Sequence, residues 1–300
     1  MLSVAFLYLC FTGTLFLGSL ILSQNHYPIF VGGVRFFGSG VILLTLYILK
    51  NKSLILKQLP KLNNILFFKH AFFLYTLSAI GFSWAMQYVD PVKGCFVFVL
   101  APFVTALQLY FLKGEKLTTK KIIGLSIGFF AVIPIILQGE HGTSVQEVPL
   151  NLTILGYFVF ICSVVAFAYG WILNKDMCKS IHLPSSLVTG SALIVGGGLT
   201  LFLFLMLQGH KLCSMQVTDD FWWLLLLFAI LTAIAYNLYS SLLQRFSPTF
   251  IAFASFLEPA FGLLYAAVFL GQSVTMISFI SLVGLGCGLF LFYQEELRLR

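Results

Sequence analysis

Ten runs of about 20 apolar residues make up almost the whole chain, at about 2–22, 28–49, 66–88, 91–112, 119–138, 151–173, 185–208, 221–243, 248–270 and 273–293. Each is long enough to cross a hydrocarbon core about 30 Å thick as a helix. The intervening loops are short and the runs do not alternate as barrel strands do, which argues against a β-barrel. Only 9% of the 300 residues are charged and 60% are hydrophobic, whereas soluble domains carry about a quarter charged residues. The chain reads as a polytopic membrane protein. No Lys or Arg precedes the first run, so it reads as a retained helix rather than a signal peptide.

The net charge of +7 is a topology signal once its distribution is read. With alternate loops on alternate sides, one side holds Lys50, Lys52, Lys57, Lys61, Lys69, Lys113, Lys116, Lys120, Lys121, Lys175, Lys179, Arg245, Arg298 and Arg300. The other holds Lys93 and Lys211. The basic side is cytoplasmic by the positive-inside rule, so both termini lie inside and the chain sits in the cytoplasmic (inner) membrane. The lipid bilayer is its surrounding partner, and a nucleic-acid site is not required. The six cysteines are scattered without a C-x-x-C pair and read as small buried hydrophobes; the five histidines, in loops or at helix ends, lack ligand spacing. No metal, cofactor or nucleotide site is expected.

Two segments align without gaps at an offset of 157: "DPVKGCFVFVLAPFVTALQLYFLKGE" from Asp90 and "SPTFIAFASFLEPAFGLLYAAVFLGQ" from Ser247. Pro91 meets Pro248, Pro102 meets Pro259 and Gly114 meets Gly271; Pro28 and Pro184 recur at an offset of 156. The expected architecture is therefore all-α, with ten transmembrane helices forming two five-helix repeats, 1–138 and 151–300, joined by a loop at 139–150. Five is odd, so the repeats must be inverted. Inverted repeats place a substrate site at the midplane between the halves.

Polar residues inside apolar runs mark where that site lies. Glu258 is about 15 Å into the ninth run and Arg35 about 10 Å into the second. Both are expected to face the interior, Glu258 as a site for a substrate ammonium or a proton and Arg35 as an anion anchor or gate partner. Snorkelling of Arg35, or pairing of the two, is the structural alternative. The counterparts at the repeat offset are Ala101 and Ser191, so each charge belongs to one half only. Trp84, Gln87 and Tyr88 share one face of the third run; Thr232, Tyr236, Tyr239 and Ser240 share one face of the eighth, where Asn237 adjoins them. Trp84 and Tyr236 are the deeper cavity candidates, with Gln87 and Asn237 beside them, while Tyr88 and Tyr239 suit an interfacial belt. Tyr8, Thr12 and Ser19 form a weaker stripe on the first run. Pro102 and Pro259 are expected to break the fourth and ninth helices, leaving the carbonyls of Phe98 and Ser255 without helical donors. Glycines at 124/128 and 284/288 predict close packing of the fifth and tenth helices.

The stretches "PIFVGGVRFFGSG" (28–40), "APFVTALQLYFLKGEKLTTKKIIGLSIGF" (101–129) and "LEPAFGLLYAAVFLGQSVTMISFISLVGLG" (257–286) resemble the drug/metabolite transporter superfamily, specifically its EamA-like members. The one departure is Gln272 where the first copy has Glu115. The resemblance implies ten helices around a central cavity and transport of small metabolites. The expected function is secondary active transport by alternating access of an amino acid or amino-acid derivative. A zwitterion such as S-adenosylmethionine, carried by some family members, is within that range. A coupling proton or counter-substrate is the expected second partner. The alternatives are a channel or facilitative pore for small solutes and, with no paired acids or activated nucleophile at depth, an intramembrane enzyme.

Overall fold

The computed structural model describes residues 2–24, 27–51, 62, 64–85, 88, 98, 100–115, 118–137, 149–181, 183–209, 220–270 and 276–298. Among these all regular structure is helical. The helices are α1 (Leu2–Gln24), α2 (Pro28–Lys50), α3 (Ile65–Ala71) continuing through a π-helical turn (Phe72–Leu77) into α4 (Ser78–Ala85), α5 (Ala101–Lys113) and α6 (Thr119–Leu137). They continue with α7 (Leu150–Ile181), α8 (Ser185–Gln208), α9 (Phe221–Leu243), α10 (Pro248–Ala254), a 3-10 turn (Ser255–Leu257), α11 (Glu258–Leu270) and α12 (Met276–Arg298). Among the described residues five stretches are long and apolar enough to cross a membrane: Pro28–Lys50, Ile65–Ala85, Leu150–Cys178, Ser185–Gln208 and Phe221–Leu243.

Local chemistry sets the helix ends. Pro28 and Pro248 open their helices, where a missing N–H costs nothing. The Ser247 hydroxyl accepts from the Phe250 N–H at 3.1 Å, and the Asn64 side chain accepts from Leu66 N–H at 3.1 Å. Gly114 ends α5 with φ 66°, a left-handed conformation that glycine adopts without strain. Helix α7 runs to 32 residues, beyond the expected end near 173. Its extra turns carry Asn174, Lys175 and Asp176, and each of these polar side chains finds a partner. Asp176 pairs with Lys113, and Lys175 donates to the Phe246 carbonyl at 3.1 Å.

With no water in the hydrocarbon, helices associate through close packing. α2 lies against α8 and α6 against α12. A Cβ on Gly40 would stand 2.8 Å from the Gly190 carbonyl, and one on Gly288 would stand 2.9 Å from the Gly124 carbonyl. The glycines expected to let the fifth and tenth helices approach are thus at the crossing. α1 packs on α9 and on α11, while α4 and α5 pack on α7. Lys113, Lys120, Lys121 and Lys175 gather at one end of the bundle. There Lys120 faces Glu295 at 3.7 Å and Lys121 sits 5.3 Å from the Phe292 ring centroid.

Candidate functional site

One central cavity draws its lining from α1, α2, α4, α5, α7, α9, α10 and α11. Each helix offers one face at helical spacing: Tyr8, Phe11 and Leu15 on α1; Pro28, Val31 and Arg35 on α2; Phe160, Phe167 and Trp171 on α7; Phe228, Tyr236 and Tyr239 on α9.

Glu258 lines the cavity as the first residue of α11, directly after the 3-10 turn. A helix N-terminus carries partial positive charge, so it is a favourable place for a carboxylate, by about 0.3–1 kcal/mol. Pro259 follows and supplies no N–H. The Ser255 carbonyl, four residues back, is nevertheless occupied: the Glu258 N–H turns to it in the 3-10 turn. The expected open carbonyl is therefore closed at this position by a tighter turn. At the matching place in the first half Pro102 is the second residue of α5, and the Leu100 carbonyl accepts from Val104 N–H at 3.0 Å.

Arg35 lines the same cavity, with its Cζ 4.4 Å from the Phe228 ring centroid, 4.6 Å from Phe36 and 6.0 Å from Tyr236. Guanidinium planes stack on aromatic faces in this way. Its Nε is buried without a hydrogen-bond partner. Arg35 and Glu258 do not form an ion pair; those present among the described residues are Lys113–Asp176 and Lys120–Glu295. The pairing considered from the sequence is thus absent; Arg35 is hydrogen-bonded to the Tyr236 side chain instead.

Tyr236 is the hub between them. Its ring meets Phe11 at 5.3 Å, Phe36, Tyr75 and Trp171 at 5.5 Å, and it lies within electrostatic reach of both Arg35 and Glu258. Tyr239 is not at an interface. It is 4% exposed, lines the cavity and stacks on Trp171 with centroids 3.7 Å apart. The hydroxyl of Tyr8 donates to the Ile251 carbonyl in α10. Thr12 does not line the cavity; its hydroxyl donates to the Tyr8 carbonyl at 2.8 Å and lies 3.4 Å from the Glu258 carbonyl. It ties α1 to the turn that carries the acid.

Other sequence candidates lie elsewhere. Trp84 is half-buried and packs on Tyr88 at 4.7 Å; the face of α4 that meets the cavity carries Ser78, Phe82 and Ser83. Asn237 lines a separate depression with Leu2, Leu43 and Leu46. Gln87 lies outside the described residues. Trp171 and the Phe82–Phe98–Phe160 cluster, with centroids 4.9–5.7 Å apart, were not singled out from the sequence. Their one signal is the clustering of aromatics in the third, fourth and sixth runs. Cys10 and Cys178 are buried as expected, but Cys162 and Cys287 are exposed on the bundle surface. His70 lies at a helix end, in the last turn of α3, and is fully buried. Among the described residues no group of three or more His, Cys, Asp or Glu could hold a metal.

A solved crystal structure, 15% identical, superposes on 99% of this chain and 97% of its own with a TM-score of 0.77, which shows a shared fold. A relative named S-adenosylmethionine/S-adenosylhomocysteine transporter, from Chlamydia muridarum, is 27% identical over 285 residues, covering 90% of this chain and 84% of the relative. A protein of Escherichia coli named probable amino-acid metabolite efflux pump is 27% identical over 205 residues, covering 63% of this chain and 62% of its own. The model of the EamA-like transporter family matches twice, at residues 1–137 and 154–294. The chain is a multi-pass inner-membrane transporter, not an enzyme, and it belongs to the EamA-like transporter family.

Proposed function

We propose that the protein is a secondary active transporter that moves a zwitterionic amino-acid derivative, of the S-adenosylmethionine and S-adenosylhomocysteine class, by alternating access. The observation that carries this reading is the cavity itself. It presents one guanidinium and one carboxylate, unpaired with each other and set among aromatic rings. A ligand with a carboxylate, a cationic group and a flat ring system complements all three features. Carboxylate binds Arg35 bidentately, and the ring system packs on the phenylalanines beside Trp171. Glu258 takes the cationic group, or the coupling proton where a proton gradient drives transport.

In this reading the transporter has ten spans, residues 1–138 and 151–300 form inverted repeats around the loop 139–150, and both termini are cytoplasmic. The helix pairings support it. α2 on α8 and α6 on α12 are counterpart helices; α1 on α9 is answered by α4 on α7, and α1 on α11 by α5 on α7. The cluster of lysines at one bundle end supports the orientation. Pro102 and Pro259 mark the interrupted fourth and ninth helices, whose breaks let the halves rock against each other. The relative named an amino-acid metabolite efflux pump favours free amino acids as the second substrate class.

The test is counterflow in proteoliposomes. Vesicles loaded with S-adenosylhomocysteine and given labelled S-adenosylmethionine outside at low concentration are expected to accumulate label transiently above equilibrium. Label that only equilibrates identifies a pore and overturns the carrier mechanism. Counterflow of amino acids without S-adenosylmethionine overturns the substrate class alone.

A further inference from the structure

We infer that Glu258 and the rings of Phe11, Tyr236 and Tyr239 form a cation subsite that reads the fixed positive charge of a sulfonium, separating a sulfonium ligand from its uncharged thioether. The inference rests on the proposed reading of the cavity as a site for S-adenosylmethionine-class ligands. It begins from the rings that share the cavity wall with the acid. Phe11 meets Tyr236 at 5.3 Å and Tyr239 at 6.0 Å, edge to face in both cases. All three rings and Glu258 line the cavity. Tyr8, Tyr236 and Tyr239 each lie within electrostatic reach of the Glu258 carboxyl group.

A hard, strongly hydrated ammonium gains most from direct hydrogen bonds to oxygen. A sulfonium has no N–H to donate. It is stabilised by a nearby negative charge and by the negative faces of aromatic rings, as other fully substituted cations are. The phenol of Tyr8 is already engaged, donating to the Ile251 carbonyl. Its oxygen is also hydrogen-bonded to Tyr239, and the Tyr236 hydroxyl is hydrogen-bonded to Arg35, so the phenols beside Glu258 are already paired and the subsite is better matched to a charge without donors than to a group that needs several acceptors.

The opposite charge sits across Tyr236. Arg35 stands 6.0 Å from that ring and does not pair with Glu258. The cavity therefore carries its cation and its anion unpaired, both within reach of Tyr236. A ligand that satisfies both ends needs its own charges separated to match. In S-adenosylmethionine two methylene groups stand between the α-carbon and the sulfur, so the carboxylate engages Arg35 while the sulfur lies toward Glu258. Loss of the transferable methyl leaves the same skeleton with neutral sulfur, and only the Glu258 end registers the change.

The experiment measures binding of two ligand pairs to purified protein, by competition against labelled S-adenosylhomocysteine. The pairs are S-adenosylmethionine with S-adenosylhomocysteine and S-methylmethionine with methionine; each differs by one methyl and one charge. The wild type is expected to prefer the sulfonium member about tenfold in each pair. Glu258→Gln is expected to bring both ratios to about one, and an unfolding midpoint in detergent close to that of the wild type shows that the variant is folded. Phe11→Leu is expected to lower the ratios about threefold. If Glu258→Gln weakens both members of each pair equally, the carboxylate reads the shared α-ammonium and the inference is overturned, though the proposed substrate class stands. If the wild type binds no member of either pair, both fall together.

Discussion

Two polar regions lie within a few turns of each other on α7 and α9, and they are built on opposite principles. In the first, His70, Asn174 and Ser240 are fully buried and form a closed network. Ser240 donates to Asn174 Oδ1 at 2.9 Å, and Asn174 Nδ2 lies 3.2 Å from His70 Nε2. The amide oxygen is used as an acceptor, so Nδ2 is the donor and Nε2 accepts. His70 Nδ1 therefore carries the hydrogen and donates to the Gly170 carbonyl at 3.0 Å. Cys178 Sγ adds a contact to Asn174 Oδ1 at 3.8 Å. In the second region, across the Trp171–Tyr239 stack, Arg35 Nε and Trp171 Nε1 are buried without partners and Glu258 has no ion-pair partner among the described residues. The closed network fixes three helices at no outstanding cost. The open groups carry a desolvation penalty that a bound ligand can relieve, so the unsatisfied region, not the more elaborate one, is where a substrate belongs.

Replacement of Arg35 tests the open side hardest. Arg35→Gln removes the charge that a ligand carboxylate would meet. S-adenosylmethionine and S-adenosylhomocysteine both carry that carboxylate, so both are expected to lose affinity alike, by about 30- to 100-fold, in line with the loss of a bidentate charged contact. Thermal stability should stay near wild type, because Arg35 pairs with no acid among the described residues. A large fall in melting temperature with unchanged affinity would place Arg35 among the structural groups.

Much of this contrast is legible in the sequence, for one physical reason. A charge inside an apolar run is costly, so Glu258, Arg35 and the Tyr236 face stand out. The bounds of α8 and α9 coincide with runs 185–208 and 221–243 because polar loops flank them. The end of α7 was hidden because Asn174, Lys175 and Asp176 read as a loop until His70, Phe246 and Lys113 are seen opposite them. Trp171 was hidden for the opposite reason. In a chain with 33 phenylalanines and four tryptophans, an aromatic residue fits lipid and cavity equally well. Spacing groups Trp84 with Tyr88 on one face, but it does not say which neighbour that face meets.

On the closed side the expected effect is on stability. Asn174→Ala strips His70 Nε2 and the Ser240 hydroxyl of their partner in a site that water does not reach. Orphaning buried groups of this kind costs about 1–3 kcal/mol each, so the network should lose about 3 kcal/mol. Unfolding in detergent should move down by several degrees. Ligand affinity per folded molecule should remain within about twofold. A selective loss of affinity at normal stability would mean that the network belongs to the binding machinery, and the contrast between the two regions would collapse.

The smallest expected effect gives the sharpest discrimination. Thr232 is fully buried on α9, its Oγ1 has no partner, and it does not line the cavity. If lack of a partner alone marked a ligand site, Thr232 would qualify beside Arg35. If lining the cavity is also required, the hydroxyl is simply a local cost. Thr232→Val keeps the branched shape and removes the oxygen. Replacement of an unsatisfied polar group by an apolar isostere is neutral or stabilising, so the variant should gain up to about 1 kcal/mol. The measurement pairs the detergent unfolding midpoint with counterflow rate in the same preparation. A small rise in midpoint at unchanged rate is the expected result. A fall in rate would show that Thr232 is used in another state of the cycle, and the boundary of the site would then have to include the α9 face one turn before Tyr236.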